Sequence, residues 1–205
     1  ERIARACAST AMITTMHLAA AAVLEKHGAE DVRREVASGK RLVTLAFSEA
    51  GSRSHFWAPI STAKADGGQI RLDAQKSWAT SASHADYVWS SKPVAAEGMS
   101  TLWLVPRASK GLSVPKPFEG LGLRGNDSSP IKAEGVLVPE SARLGDDGKG
   151  FDVMMGVVLP NFQVMSAACS LGMMESAVAK TIEHVSSAKL EHLGAPKQVT
   201  GLTVP

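Results

Sequence analysis

Residues 42–90 read LVTLAFSEAGSRSHFWAPISTAKADGGQIRLDAQKSWATSASHADYVWS, and the fold class turns on this stretch. LVTLAF is a β-branched and aromatic run that ends in a polar segment, SEAGSRSH (48–55). STAKAD and QIRLDAQ then alternate on either side of Gly67 and Gly68, and a second polar segment, KSWATSAS (76–83), follows. A period of two broken by a glycine pair is the pattern of a β-hairpin. If both polar segments leave the same end of adjacent strands, their backbone N–H groups surround one cleft with the hydroxyls of Ser48, Ser54 and Thr80 and the Trp78 indole. Such a cleft suits a large, flat, polar-edged ligand carrying a phosphate. Trp78 taken alone is as readily a core aromatic.

Downstream, DYVWSSKPV (86–94), MSTLWLVPR (99–107), LSVPKPF (112–118) and PIKAEGVLVP (130–139) continue as short strands between Gly, Pro and Ser clusters. Upstream, residues 1–28 are rich in helix formers and stop at Gly28, and a shorter helix spans Glu30 to Ser38 before Gly39. After Gly145 the helical period returns over DDGKGFDVMMGVVL and NFQVMSAACSLGMMESAVAKTIEHVSSAKLEHLG, with Pro160 kinking or dividing it. Strands between two helical blocks predict an α+β protein: an antiparallel β-barrel or sandwich flanked by α-helical segments. The expected divisions are 1–39, 40–145 and 146–205.

The 44% hydrophobic and 20% charged content over 205 residues is that of a folded globular chain able to bury a core. A net charge of +2, with no dense basic run, gives no reason to expect nucleic acid. No run reaches about 18 uninterrupted apolar residues, so no membrane span is expected. No secretory signal is seen, and the chain is expected to be cytoplasmic. Cys7 and Cys169 read as two buried free thiols. The Met154, Met155, Met165, Met173 and Met174 stripe reads as core first and acyl-chain wall second, and His17 as a partly buried helix residue. EGLGLRGNDSS neither ends in GKS/T nor opens a helix, GSRSH lacks the second glycine of a hydrolase elbow, and the six histidines form no HExxH. No metal is expected.

The succession of helices, AFSEAGSRSH, alternating strands, KSWATSASHADYV, GLGLRGNDSSPIKAEGVLVPESARLGDDGKGF and a long helix resembles an acyl-CoA dehydrogenase over nearly the whole chain. That family has Thr-Glu-Pro and Gly-Ser-Asp in the first loop and Lys-x-Trp-Ile-Thr-Asn in the second. The resemblance implies FAD. The backbone of Leu45, Ala46 and Phe47 would edge the pyrimidine side of the ring, and the Ser48 hydroxyl would stand in for the family's Thr. Ser54 would sit near the pyrophosphate and the thioester, Trp78 and Ala79 against the ring, and Thr80 toward N5. The physical demands agree, because a buried flavin needs donors for its acceptor edge and a flat apolar wall.

The departures are Ala50 for Pro, Arg53 for Gly and His55 for Asp. On the last helix Gln163 stands where many members carry an Arg near the thioester, with Phe162 beside it, and Leu190 replaces an Arg that usually contacts a cofactor phosphate. The implied reaction is α,β-desaturation of an acyl-CoA in fatty-acid metabolism, with electrons passing to an acceptor such as an electron-transfer flavoprotein, in a homodimer or homotetramer. Its catalytic Glu is expected beyond Pro205, and Glu175, Glu183 and Glu191 read as solvated helix surface. The chain as given is expected to be an incomplete, inactive fragment. The alternatives are a flavin-dependent monooxygenase of the same fold and a non-catalytic subunit of a hetero-oligomer.

Overall fold

The computed structural model describes residues 1–53, 55–115 and 120–187. The N-terminal helical stretch is two helices, α1 (Arg2–Ala6) and α2 (Ala8–His27), because Cys7 is extended (φ −152°) between them. Cys7 is therefore exposed at a break in the helix, while Cys169 is buried, its Sγ 3.8 Å from the Thr15 hydroxyl; both thiols are free. α2 buries Ala11, Thr15, Ala19, Ala20, Val23 and Leu24, a stripe whose small residues bring the helix close to the sheet beneath it. It stops where the Gly28 N–H reaches Leu24 O (2.7 Å). α3 (Glu30–Ala37) follows and buries Val32.

One sheet has the order β1 (Val43–Ala46), β4 (Asp86–Ser91), β5 (Thr101–Val105). The other has the order β2 (Thr62–Asp66), β3 (Gln69–Ala79), β7 (Ser129–Pro139), β6 (Leu112–Ser113). β2 and β3 turn at Gly67 and Gly68, whose φ of +58° and +82° match the tight hairpin that the sequence predicts. The sheets stack as an open sandwich without closing into a barrel. One pair departs from the antiparallel expectation: β1 runs parallel to β4, Val43 opposite Asp86 through Ala46 opposite Trp89. The β2–β3 hairpin between them supplies the long connection a parallel pair needs.

Alternation divides the core. Leu45, Val88, Leu102 and Leu104 meet Ala20, Val23, Leu24 and Met154 on the helix side. Ala46, Tyr87, Trp89 and Trp103 meet Leu72, Ile131 and Val136 of the second sheet. The three-stranded sheet is covered on both faces, and β5 is buried at every position.

The last helix is one continuous column: α4 (Gly150–Val153), a π-helical turn (Met154–Val158) and α5 (Leu159–Ser187). The Leu159 N–H bonds Met154 O, five residues back, and Pro160 follows directly. The wider turn absorbs the proline, which has no N–H to give, so the helix is neither ended nor divided there. α5 runs along α1 and α2. By length and composition the column from Gly150 to Ser187 is apolar enough to cross a membrane, a test that core helices of soluble proteins also pass. Ahead of it, the Asp147 carboxylate takes the N–H groups of Val94 (3.0 Å), Ala95 (2.9 Å) and Ala96 (2.9 Å) and the Thr101 hydroxyl, pinning the loop between β4 and β5 to the start of the column.

Candidate functional site

The two polar segments do converge, by a route other than adjacent strands. β1 and β3 belong to different sheets, and the chain leaving β1 crosses to β3 through a single bridge, Glu49 opposite Lys76. The Ser77 N–H donates to Ser48 O (2.9 Å) beside it. KSWA, expected in a loop, is the end of β3.

A buried ion pair fixes this crossing. Lys76 is 0% and Glu49 5% exposed. Lys76 Nζ donates to Glu49 Oε1, to Ser90 O (2.7 Å) and to Ser90 Oγ (3.1 Å), and lies 4.8 Å from the Trp89 ring centroid. Glu49 Oε2 accepts from Ile60 N (2.6 Å) and Ser61 N (2.9 Å), and Oε1 from the Ser61 hydroxyl. Burial pushes the Lys76 ammonium below its ordinary value, with Glu49 opposing. Burial works to raise the Glu49 carboxyl, but Lys76, Ser61 and the Ile60 N–H overrule it and hold it low. The pair closes the 49–61 loop onto β3 with Ser48 and Trp78 on its two flanks.

Those flanks open into a cavity of about 270 Å³ lined by Met16, Leu45, Phe47, Ser48, Phe56, Trp78, Val158, Leu159 and Phe162. Of the residues expected from sequence, Leu45, Phe47, Ser48, Trp78 and Phe162 meet here. Trp78 is 55% exposed, so its ring presents a face rather than filling the core. Ala46 and Ala79 are buried between the sheets and can offer only backbone. Gln163 is exposed and does not line the cavity. Ser54 lies outside the described residues, as do Leu190 and Glu191.

Met16, Phe56, Val158 and Leu159 complete the wall, and nothing but membership of apolar helix faces or an aromatic loop marked them in the sequence. Glu49 and Lys76 were also passed over, although each stands inside a quoted motif. No carboxylate lines the cavity among the described residues. Glu175 is half-buried, 3.5 Å from Arg5 Nε, and Glu183 is exposed.

Thr80 sits just past β3, its hydroxyl 3.3 Å from Ser128 Oγ, in a turn held from several sides. Ser81, at φ +55°, gives its N–H to Asn126 O (2.9 Å), and Ala82 gives its N–H to Asp127 O (3.0 Å). Asp127 Oδ2 accepts from Ser83 N (2.7 Å), and the Tyr87 hydroxyl donates to Ala82 O. Asn126 and Asp127 are the ND of LGLRGNDSS, so this phrase braces the turn. His17 is also structural, its Nδ1 accepting from Val43 N (3.2 Å) and so fastening α2 to β1.

An open sandwich of this topology under two helical layers is the acyl-CoA dehydrogenase architecture, and residues 44–136 match the acyl-CoA dehydrogenase middle domain. The chain is 28% identical over 197 residues to the human mitochondrial short-chain specific acyl-CoA dehydrogenase, covering 91% of this chain and 47% of that protein. It is 35% identical over 160 residues to an L-prolyl-[peptidyl-carrier protein] dehydrogenase of Pseudomonas fluorescens, covering 75% of this chain and 41% of that protein. The glutaryl-coenzyme A dehydrogenase structure with glutaryl-CoA shares the fold with a TM-score of 0.84 at 21% identity, over 95% of this chain and 50% of that one. The chain belongs to the acyl-CoA dehydrogenase family. It spans about half the length of the curated relatives it matches.

Proposed function

We propose that this chain forms the FAD-facing half of a dehydrogenase acting on acyl thioesters such as acyl-CoA. The observation that carries the reading is the convergence of Ser48 and Trp78, from two sheets, on one cavity whose opposite wall is helical and apolar. The residues fit a flavin ring. Among the described residues β1 is an edge strand, so the backbone of Leu45, Ala46 and Phe47 has one side without a strand partner there, matching the alternating donors and acceptors of a pyrimidine edge. Ser48 adds a hydroxyl, Trp78 a flat apolar face, and Thr80 a second hydroxyl beyond Ala79. When bound, the flavin would take the β-hydride of the thioester at N5 as a carboxylate removes the α-proton. The chain's own part is to hold the ring and to exclude water, through Met16, Phe47, Leu159 and Phe162, from the carbon chain beside it. Ser54, which the resemblance puts near the pyrophosphate and thioester, and Gln163, which the resemblance puts near the thioester, belong to the proposal as well, although Gln163 does not line this cavity.

The division into 1–39, 40–145 and 146–205, a homodimer or homotetramer, an electron-transfer flavoprotein as acceptor and a cytoplasmic location go with this reading. The test is the visible spectrum of the purified full-length protein followed by anaerobic addition of an acyl-CoA. A yellow protein bleached by the thioester is expected. A colourless protein that takes up no FAD would sink the reading, and a flavoprotein that no thioester bleaches would favour an oxygenase of the same fold. Trp78→Ala is expected to weaken FAD binding by about tenfold or more, through loss of its ring face, in a fluorescence titration.

A further inference from the structure

We propose that Glu49 and Lys76 are positioning residues for the cofactor, holding a β-bulge at Ser77 and Trp78 in the one register that turns the Trp78 ring toward the cavity. This rests on the reading of the cavity as a flavin site. On β3 Lys76 stands opposite Ile131 of β7 and Ala79 opposite Ser129, so three steps along one strand answer two along the other. The extra residue is a bulge, and it reverses the alternation of the strand. A period of two would put Trp78 on the same side as Lys76, between the sheets, and Ala79 on the other. Instead Lys76 and Ala79 are both buried, and Trp78 stands 55% exposed at the cavity. The Ser77 N–H, inside the bulge, is the group that reaches Ser48 O.

The ion pair fixes where that bulge begins. The three N–H groups of the Lys76 ammonium go to Glu49 Oε1, Ser90 O and Ser90 Oγ, and so tie β3 to the crossing chain and to β4 of the other sheet. Glu49 Oε2 is taken by the Ile60 and Ser61 N–H groups, which leaves the carboxylate one place to stand. The Ser61 hydroxyl, 3.0 Å from Ser90 O, closes the ring of contacts. Two apolar side chains of similar volume would hold the sheets together as well or better, because burying charges is costly; what they lack is direction. A strand without that direction can slip its bulge by one residue, and a slip of one exchanges inward and outward side chains. Trp78 would then turn in, and its ring face would leave the cavity.

FAD is titrated into the full-length apoprotein and followed by flavin fluorescence, with stability read from urea unfolding and the ring's surroundings from the visible circular dichroism of the bound flavin. Lys76→Met with Glu49→Gln leaves no buried charge and is expected to fold, yet to bind FAD about tenfold more weakly and with an altered flavin band. In a Trp78→Ala background the same two substitutions should cost no more than about threefold, because the side chain through which they act is already gone. Ser90→Ala, which removes one ammonium partner and no charge, is the milder variant: about threefold with Trp78 present, no change without it. Gly68→Val, at the far end of β3, lowers stability and should leave FAD affinity unchanged; a matching loss there would mark general loosening and overturn the proposal. Wild-type affinity in the folded double variant overturns it too. So does an equal loss with and without Trp78, in the double variant or, should that not fold, in Ser90→Ala. Wild-type protein that takes up no FAD defeats the flavin reading and this inference with it.

Discussion

At Lys76 a full positive charge has no exposed surface, and its partner Glu49 is nearly as deep. Removing one member strands the other, so Lys76→Met is expected to cost about 3–5 kcal/mol in urea unfolding. Pairing it with Glu49→Gln should restore much of the loss, because a neutral pair leaves no buried charge. Asp147 gives a different signature. Burial works to raise its carboxyl, but the Thr101 hydroxyl and the Ala96, Ala95 and Val94 N–H groups hold it at about 2, against an ordinary 3.8. The unfolded chain therefore takes up the proton first as pH falls, so the contribution is complete above pH 3.8 and disappears as pH drops toward 2. Asp147→Asn should cost about 1–2 kcal/mol at pH 7 and far less at pH 2 in thermal melts across that range. Ser48, Trp78 and Phe162 were legible because hydroxyl, ring and motif order point the same way. Gln163 missed the cavity because one residue along a helix is a rotation of about 100°. Glu49 and Lys76 were illegible because a charge in a polar loop reads as solvated unless its partner, 27 positions away, is known to bridge to it.

Among the elements, the β2–β3 hairpin was the plainest, since alternation and a glycine pair leave few other conformations. Gly68→Val puts a β-branched side chain at φ +82° and is expected to destabilise by about 1–2 kcal/mol, read from the urea midpoint. The three-stranded sheet was harder to foresee. The partner of β1 is β4, beyond an entire hairpin, and sequence spacing carries no mark of a parallel pair. Runs such as TLWLV lack alternation because both faces of β5 are covered, which is also why pattern alone could not choose between a barrel and a sandwich. β3 outran its expected end because the polar face of KSWA is satisfied by the crossing chain rather than by solvent.

For the molecule as a whole, the site is a junction: α2, both sheets and the last helix each contribute to it, so its shape depends on how the helical layer is phased against the strands. The π turn at Met154–Val158 controls that phase. By spending one residue more than an α-helical turn, it works as an angular offset: every side chain after it is turned by about 100° from where an unbroken α-helix would carry it. Phe162 faces the cavity at this setting. Inserting one alanine after Gly156, which is exposed, turns every downstream side chain by about a further 100° and is expected to carry Phe162 away from the cavity and a neighbour such as Asn161 toward it, leaving the two sheets intact. Hydrogen exchange would show the strands still protected while selectivity among thioesters collapses. A residue added on this turn thus acts as a selector of which helix face the ligand meets, whereas the loss of the extra residue together with the wide turn leaves that face as it is.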